Sequence, residues 1–296
     1  MSLKCGKTIP LAVSAVLLSV AFTACQHEVP TEGVHRGFEF VVWQDREVWI
    51  VGYSGTSDVI RIPSHIHGLP VDTIGEEAFR GRNLRRLYIA DTVRHVALWA
   101  FADNQLTHVD VGRGVTRICI GAFENNLLTD LYIPDNWDHG FPGVSIGGFA
   151  FSNNRLERVT LGRFTFISIG SFANNLITEL TLPGDNFIIP AMAFAYNRLE
   201  RIVVPDTVEH IGWQVFANNN LTSVRLPDRI EVVEPQAFMN NNITEITIGA
   251  DVSLLTSATL DNGCVFPHGF DDFYREHGSR AGTYTFDGEA WHVEFR

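Results

Sequence analysis

Apolar residues recur at a fixed spacing through most of the chain, and the stretch 206–227, DTVEHIGWQVFANNNLTSVRLP, states the rule. Around Phe216, apolar residues lie eight and five before (Val208, Ile211) and five, eight and ten after (Leu221, Val224, Leu226), and Asn219 follows it by three. The reference Phe recurs as Phe79, Phe101, Phe123, Phe151, Phe172, Phe194, Phe216 and Phe238, at gaps of 22, 22, 28, 21, 22, 22 and 22 residues. A period near 22 with L-x-x-L-x-L spacing predicts a leucine-rich repeat solenoid. The last two apolar positions are two apart, so each coil contributes a short strand to a parallel sheet. The Val/Ile pair and the Phe form the return arm and point into the same interior. The predicted fold is an α/β-class leucine-rich repeat solenoid. It is a single curved right-handed coil of about nine turns, with a parallel β-sheet on the concave side and β-hairpin caps at both ends.

One coil encloses no core of its own, so each buries its apolar set against its neighbours, at roughly 1.5–3 kcal/mol per fully buried large side chain. Stability is therefore collective. Asn104, Asn126, Asn154, Asn175, Asn197, Asn219 and Asn241 all stand three after the Phe. They read as a ladder of amides satisfying backbone groups where loop meets strand, since a ligand site has no need of one residue in every coil. The first coil departs, with Arg82 at this place and Asn83 one later.

Five segments are expected: a signal peptide over 1–24, a lipidated tether over 25–36, a hairpin cap over 37–59, the solenoid over 60–262, and a helix and hairpin cap over 263–296. In the first cap, FEFVVW and VWIVGY flank a polar break, and Gly52 stands where a Phe would fall. Ile60, Ile62 and Pro63 then begin an incomplete coil. Six extra residues enter between Pro134 and Phe151, within 135–143. Val252, Leu255 and Leu260 read as a degenerate last coil, with Leu in the Phe position. Phe270, Phe273 and Tyr274 share one helical face, and TYTF-DG-EAWHVEF reads as a hairpin with a two-residue turn that sets Tyr284 opposite Trp291.

Composition changes the picture mainly at the start of the chain. The formal charge is −12, but Lys4 and Lys7 are the only lysines, and beyond Cys25 20 arginines face 34 acids, a balance of −14. Nucleic acid and anionic membrane surfaces, which need a basic footprint, are poor partners. Lys4 and Lys7 precede the apolar run Ile9 to Phe22, shorter than the roughly 20 residues that span a bilayer, as in a secretory signal. The run ends Phe22-Thr23-Ala24-Cys25, which resembles the bacterial lipobox, with Phe22 in place of the usual Leu. That resemblance implies lipidation at Cys25 and attachment to the outer membrane or cell surface; ordinary cleavage and secretion is the alternative. Cys119 and Cys264 lie six coils apart, roughly 29 Å at about 4.8 Å per strand step, too far to pair.

No catalytic motif is found, and no cofactor or metal is expected; His65 and His67 flank one Ile in what reads as a solvated turn. The informative surface is the outward side of the strands, seven and nine after each Phe. One column runs Arg86, His108, Asp130, Arg158, Glu179, Arg201, Ser223, Glu245; the other runs Tyr88, Asp110, Tyr132, Thr160, Thr181, Val203, Arg225, Thr247. Such variation fits a recognition face, and equally an unconstrained solvated sheet. Arg and Tyr commonly anchor interfaces, which makes Arg86, Tyr88, His108, Asp130, Tyr132 and Arg158 the candidate protein-binding set. The insertion adds Trp137, His139 and Phe141. Its rings either bind a partner or fold back onto the solenoid. Trp99 and Phe149, two before their Phe, are expected to cover the outer edge.

The repeat L-x-x-L-x-L-P-x-x-V-x-x-I-G-x-x-A-F-x-N-N closely resembles the BspA-like leucine-rich repeat family of bacterial surface proteins, from about Tyr53 to the closing AGTYTFDGEAWHVEF. The family often carries Cys near the position Asn holds here, and its repeat is usually one residue longer. The resemblance implies an exported or lipid-anchored protein that binds host matrix or plasma proteins, or another cell. The alternatives are a structural or periplasm-facing lipoprotein without a host ligand and, more remotely, an enzyme.

Overall fold

The computed structural model describes residues 32–135, 143–184, 187–255 and 264–296. The described residues form a β-solenoid of about nine turns with parallel strands and one helix. Two ladders make its wall. The L-x-L segments build the first, in which Val59–Arg61, Arg86–Tyr88 and His108–Asp110 pair in parallel. Asp130–Ile133, Arg158–Leu161 and Glu179–Leu180 follow, and then Ser223–Arg225 with Glu245–Ile248. The return arms build the second, from Leu69–Ile74 through His95–Val96, Arg117–Ile118 and Val144–Ile146 to Thr165–Ile167. It resumes with Ile188–Ile189, His210–Ile211, Val232–Val233 and Ser253–Leu254.

Between the ladders runs a column of rings. Phe79, Phe101, Phe123, Phe151, Phe172, Phe194, Phe216 and Phe238 are all fully buried. Phe266 continues the column, and successive centroids lie 4.8–6.0 Å apart at interplanar angles of 1–22°. Offset stacking of this kind adds about 0.5–1.5 kcal/mol per pair beyond area burial. The main chain around each ring joins its neighbour: Phe79 N–H donates to the Ala100 carbonyl at 2.8 Å, and Phe216 N–H to Ala237 at 2.8 Å.

Phe266 corrects the reading of the last coil. Leu255 is exposed while Leu254 is buried, so Leu255 does not continue the inward spacing. Leu260 lies outside the described residues. The true successor of Phe238 comes 28 residues later, the same gap that separates Phe123 from Phe151.

The asparagines stitch coil to coil. Asn219 Oδ1 accepts the Leu199 N–H at 2.9 Å from the preceding coil, and its Nδ2 donates to the carbonyls of Phe194, Phe216 and Ala217 at 3.0–3.3 Å. Asn104, Asn126, Asn154, Asn175, Asn197 and Asn241 make the same contacts. A backbone carbonyl left without a donor inside would cost about 1–3 kcal/mol, so these amides are structural.

Each coil also bends on left-handed residues two before and two after the Phe, such as Gln214 (φ 52°) and Asn218 (φ 57°). Trp99 and Phe149 hold the first of these positions, and each ring lies over a glycine in the next coil. A Cβ at Gly121 would come within 2.4 Å of Trp99, and one at Gly170 within 2.4 Å of Phe149. A bulky outer ring therefore requires a glycine one coil on.

The ends differ from the sequence reading in three places. Glu32–His35 pairs antiparallel with Phe38–Trp43, so the N-terminal cap begins inside the stretch read as a tether. Tyr53, not Gly52, fills the place below the column, with its ring 5.6 Å from Phe79. The antiparallel pairing of Phe38–Trp43 with Glu47–Tyr53 shifts register beside this place, at Glu39/Phe40. At the other end Gly282–Phe286 pairs with Trp291–Phe295, which sets Tyr284 opposite Val293 and Phe286 opposite Trp291. The turn spans four residues rather than two, because Asp287 Oδ1 accepts the N–H groups of both Glu289 and Ala290 at 2.9 Å. Phe270, Phe273 and Tyr274 lie on the helix Phe270–Glu276.

Candidate functional site

Alternation along each L-x-L strand sends one set of side chains inward and the other to solvent. Leu87, Val109, Leu131 and Val159 are buried, while Arg86, His108, Asp130 and Arg158 are exposed in the outward row. The second outward row begins with Arg61 and Tyr88, which oppose one another in the ladder. Here the Arg61 guanidinium sits 3.7 Å from the Tyr88 ring centroid, and the His108 ring lies 5.5 Å from Tyr88 on its other side. Tyr88 is therefore half-buried between a cation and an imidazole. Stacking of this kind fixes its ring in place at little further entropic cost on binding.

Asp130 and Arg158 form an ion pair across adjacent strands, both exposed, of a kind worth at most about 1 kcal/mol. Tyr132 stands on the same face at 62% exposure, and Val203 at 77%. Arg86, Tyr88 and His108 thus form one cluster, and Asp130, Tyr132 and Arg158 a second beside it. Sequence spacing missed Arg61, which precedes the first reference Phe. Its place two after Val59 in the incomplete coil is the signal that could have found it. Trp137 and Phe141 lie outside the described residues, as does Cys25.

The opposite wall carries a feature that spacing did not show. Phe166, Ile169, Phe187 and Ile188 are 43–57% exposed and lie on return arms of successive coils. In neighbouring coils the position of Phe166 and Ile188 holds Arg117, Ser145 or His210. A groove of about 590 Å³ opens among Phe164, Phe166, Ile167, Phe187, Ile188 and Pro190. Among the described residues no titratable side chain lines it.

Among the described residues no group of three or more His, Cys, Asp or Glu is placed to hold a metal ion. His67 lies 5.6 Å from the His35 ring and 5.6 Å from the Phe40 ring, while His65 bonds Ser64 at 3.1 Å. Burial pushes the Cys119 and Cys264 thiols up, which disfavours the reactive thiolate. Among the described residues no helix is long and apolar enough to cross a membrane.

Known proteins add the family. A leucine-rich repeat protein from Bacteroides ovatus superposes at a TM-score of 0.53 with 19% identity, over 78% of this chain and 66% of that one. This chain accordingly spans just under two-thirds of that relative's length. A T. pallidum leucine-rich repeat protein aligns at 20% identity over 84% of this chain and 96% of that chain, with a TM-score of 0.39. No curated protein sequence matches. The BspA type leucine rich repeat region, in six copies, matches residues 60–175, 141–245 and 187–264. Those matches run from the strand Val59–Arg61 to the coil that places Phe266 in the ring column, so the chain belongs to the BspA-type leucine-rich repeat family.

Proposed function

We propose that this chain is an exported, lipid-anchored surface protein that binds protein ligands through the outward face of its L-x-L ladder. One observation carries the reading: inward positions repeat from coil to coil while outward ones on the same strands change, from Arg86 and Tyr88 to Asp130 and Tyr132. An outer face that varies on a scaffold so regular inside is the pattern that recognition through that face would produce. The Arg61, Tyr88 and His108 stack supplies a pre-ordered aromatic anchor, and Tyr132 an exposed one. Arg86 and the Asp130 and Arg158 pair surround them with charge that sets specificity more than affinity. Repeat families of this kind are generally non-enzymatic, in keeping with a binding role.

Binding of the purified protein to immobilised host matrix and plasma proteins is the test. Saturable binding is expected, and Tyr88→Ala combined with Tyr132→Ala should weaken it about tenfold or more, as for interface anchors. Binding that the double variant leaves intact would move the site off this face. Export and anchoring rest on the lipobox-like Phe22-Thr23-Ala24-Cys25. Labelled fatty acid should be incorporated into the protein in bacterial cells and lost in Cys25→Ala.

A further inference from the structure

Several arginines of the first coils are held by carboxylates: Arg80 by Glu77 and Asp103, Arg85 by Asp58, Arg94 by Asp72 and Arg158 by Asp130. Arg61 and Arg86, both exposed on the outward rows of the L-x-L ladder, meet no carboxylate among the described residues. Register gathers them around one ring. Arg61, Tyr88 and Asp110 lie side by side on three successive strands, and Arg86 and His108 lie side by side in the next row. The Arg61 guanidinium, 3.7 Å from the Tyr88 ring centroid, is fixed by that stacking while its N–H groups remain free of any carboxylate.

Asp110 is the opposite feature of the same patch. It is exposed and makes no ion pair or side-chain hydrogen bond among the described residues, whereas Asp58 and Asp130 in neighbouring coils are engaged by Arg85 and Arg158. Arg61 and Arg86 are diagonal neighbours on adjacent strands, within reach of one shared carboxylate for side chains of their length. Asp110 stands two strands beyond Arg61, roughly 10 Å at about 4.8 Å per strand. The patch therefore presents two cations and then an anion. A polyanion satisfies only the first part, since it brings no cation to Asp110 and meets a chain whose acids outnumber its bases, at a net charge of −12. A polypeptide can carry both signs, and an extended one rises about 3.3 Å per residue, so side chains three apart span the distance.

We propose that this corner of the L-x-L face binds an extended polypeptide segment with an acidic side chain and, about three residues away, a basic one. The carboxylate meets Arg61 and Arg86 beside the Tyr88 ring, and the cation meets Asp110. The assignment rests on the L-x-L ladder being the recognition face and adds the chemistry of its partner. NMR titration of the purified protein with the blocked peptides Glu-Gly-Gly-Lys, Gln-Gly-Gly-Lys and Glu-Gly-Gly-Glu, and with a heparin tetrasaccharide, tests it. Saturable shifts at Tyr88 and His108 are expected with the first peptide, and the other two should bind about fivefold more weakly, the upper end for one exposed ion pair. Arg61→Gln combined with Arg86→Gln should erase the preference for Glu over Gln, and Asp110→Asn the preference for Lys over Glu. The thermal midpoint should stay in place, because these side chains are exposed. No saturable shifts at Tyr88 and His108, preferences unchanged in the variants, or tighter binding of the heparin fragment through the same arginines would each overturn the proposal, the last in favour of a sulfated glycan. Host-protein binding lost in Tyr88→Ala with Tyr132→Ala but kept in Arg61→Gln with Arg86→Gln would sink this assignment and leave the face reading standing. Selective peptide binding without any host-protein binding would do the reverse.

Discussion

The two ends of the solenoid solve one problem differently. At the N-terminus Glu47–Tyr53 joins the second ladder, pairing in parallel with Leu69–Ile74 and antiparallel with Phe38–Trp43. At the C-terminus Gly282–Phe286 joins the first ladder, antiparallel to Glu245–Ile248. Each cap closes one ladder and leaves an edge of the other, Val59–Arg61 at one end and Ser253–Leu254 at the other. These edges are three and two residues long, too short to template a foreign strand. The ring column ends differently as well. Tyr53 meets Phe79 at 31°, whereas Phe270 meets Phe266 edge-on at 78° inside a cluster with Tyr274, Tyr284 and Trp291. The C-terminal cap also has backbone donors to satisfy. Asp271, almost fully buried, accepts the N–H groups of Val265 and Phe266, which have no further coil to bond. A stacked array therefore ends where ring geometry changes and a side chain takes over from the missing coil.

Breaking the caps one at a time should show this asymmetry. Phe270→Ala removes the buried centre of the C-terminal cluster and should cost about 3–5 kcal/mol, read by denaturant unfolding. Coils that contact mainly their neighbours should then fray from that end, so hydrogen exchange should rise first over the coils of Phe238 and Phe266. Phe38→Ala should reverse the direction and expose the coils of Phe79 and Phe101. Asn219→Ala attacks neither cap but orphans groups in two coils at once; a loss of about 2–3 kcal/mol is expected, with exchange rising at Leu199. Asp271→Ala should cost about 1–3 kcal/mol, and Asp271→Asn less, because the amide keeps one acceptor oxygen.

The smallest effect separates the ends by pH. Burial lowers the His95 pKa, opposed in part by Asp72, and its Nδ1 is buried without a hydrogen-bond partner among the described residues. The unfolded chain then binds a proton that the folded one refuses, so stability should decline as pH falls through the ordinary histidine value of about 6.5. His95→Thr, the residue found at this position as Thr73, should flatten that slope in a thermal melt. In the C-terminal cap, hydrogen bonds from Ala290 and Glu289, then His292, hold the Asp287 carboxyl well below the usual range. Its contribution should therefore persist until pH falls below about 3.9. Acid should loosen the N-terminal half first.

Most of this fold is legible in the chain because each inward residue is repeated, and repetition makes the Phe and Asn columns visible without coordinates. What stayed hidden is what occurs once. Phe266 was missed because an insertion of the same length as the earlier one shifts it out of period. The second ladder was missed because Val93 and Val96 are three apart, a spacing that does not read as a strand although His95–Val96 is one. The apolar wall at Phe166, Phe187 and Ile188 escaped notice because only the strand positions after each Phe were read as outward. The gap in the second ladder between Thr165–Ile167 and Ile188–Ile189 was nevertheless written at Pro190, which has no N–H to give where Gly75, Ala97, Cys119 and Gly212 donate one. Of the candidate face, Arg86, Tyr88 and His108 fall together because the ladder puts them in register, while the ring-on-cation contact with Arg61 required the incomplete coil to be placed first.

Residue-resolved hydrogen exchange on the intact protein tests the stacked register most directly. The amides of Phe101, Phe123, Phe172, Phe194 and Phe216 each donate to the next coil. They should be the slowest to exchange, with protection decreasing toward whichever cap is weakened. Fast exchange at these amides under native conditions, or identical loss along the chain when either cap is cut, would show that the coils do not hold one another as described.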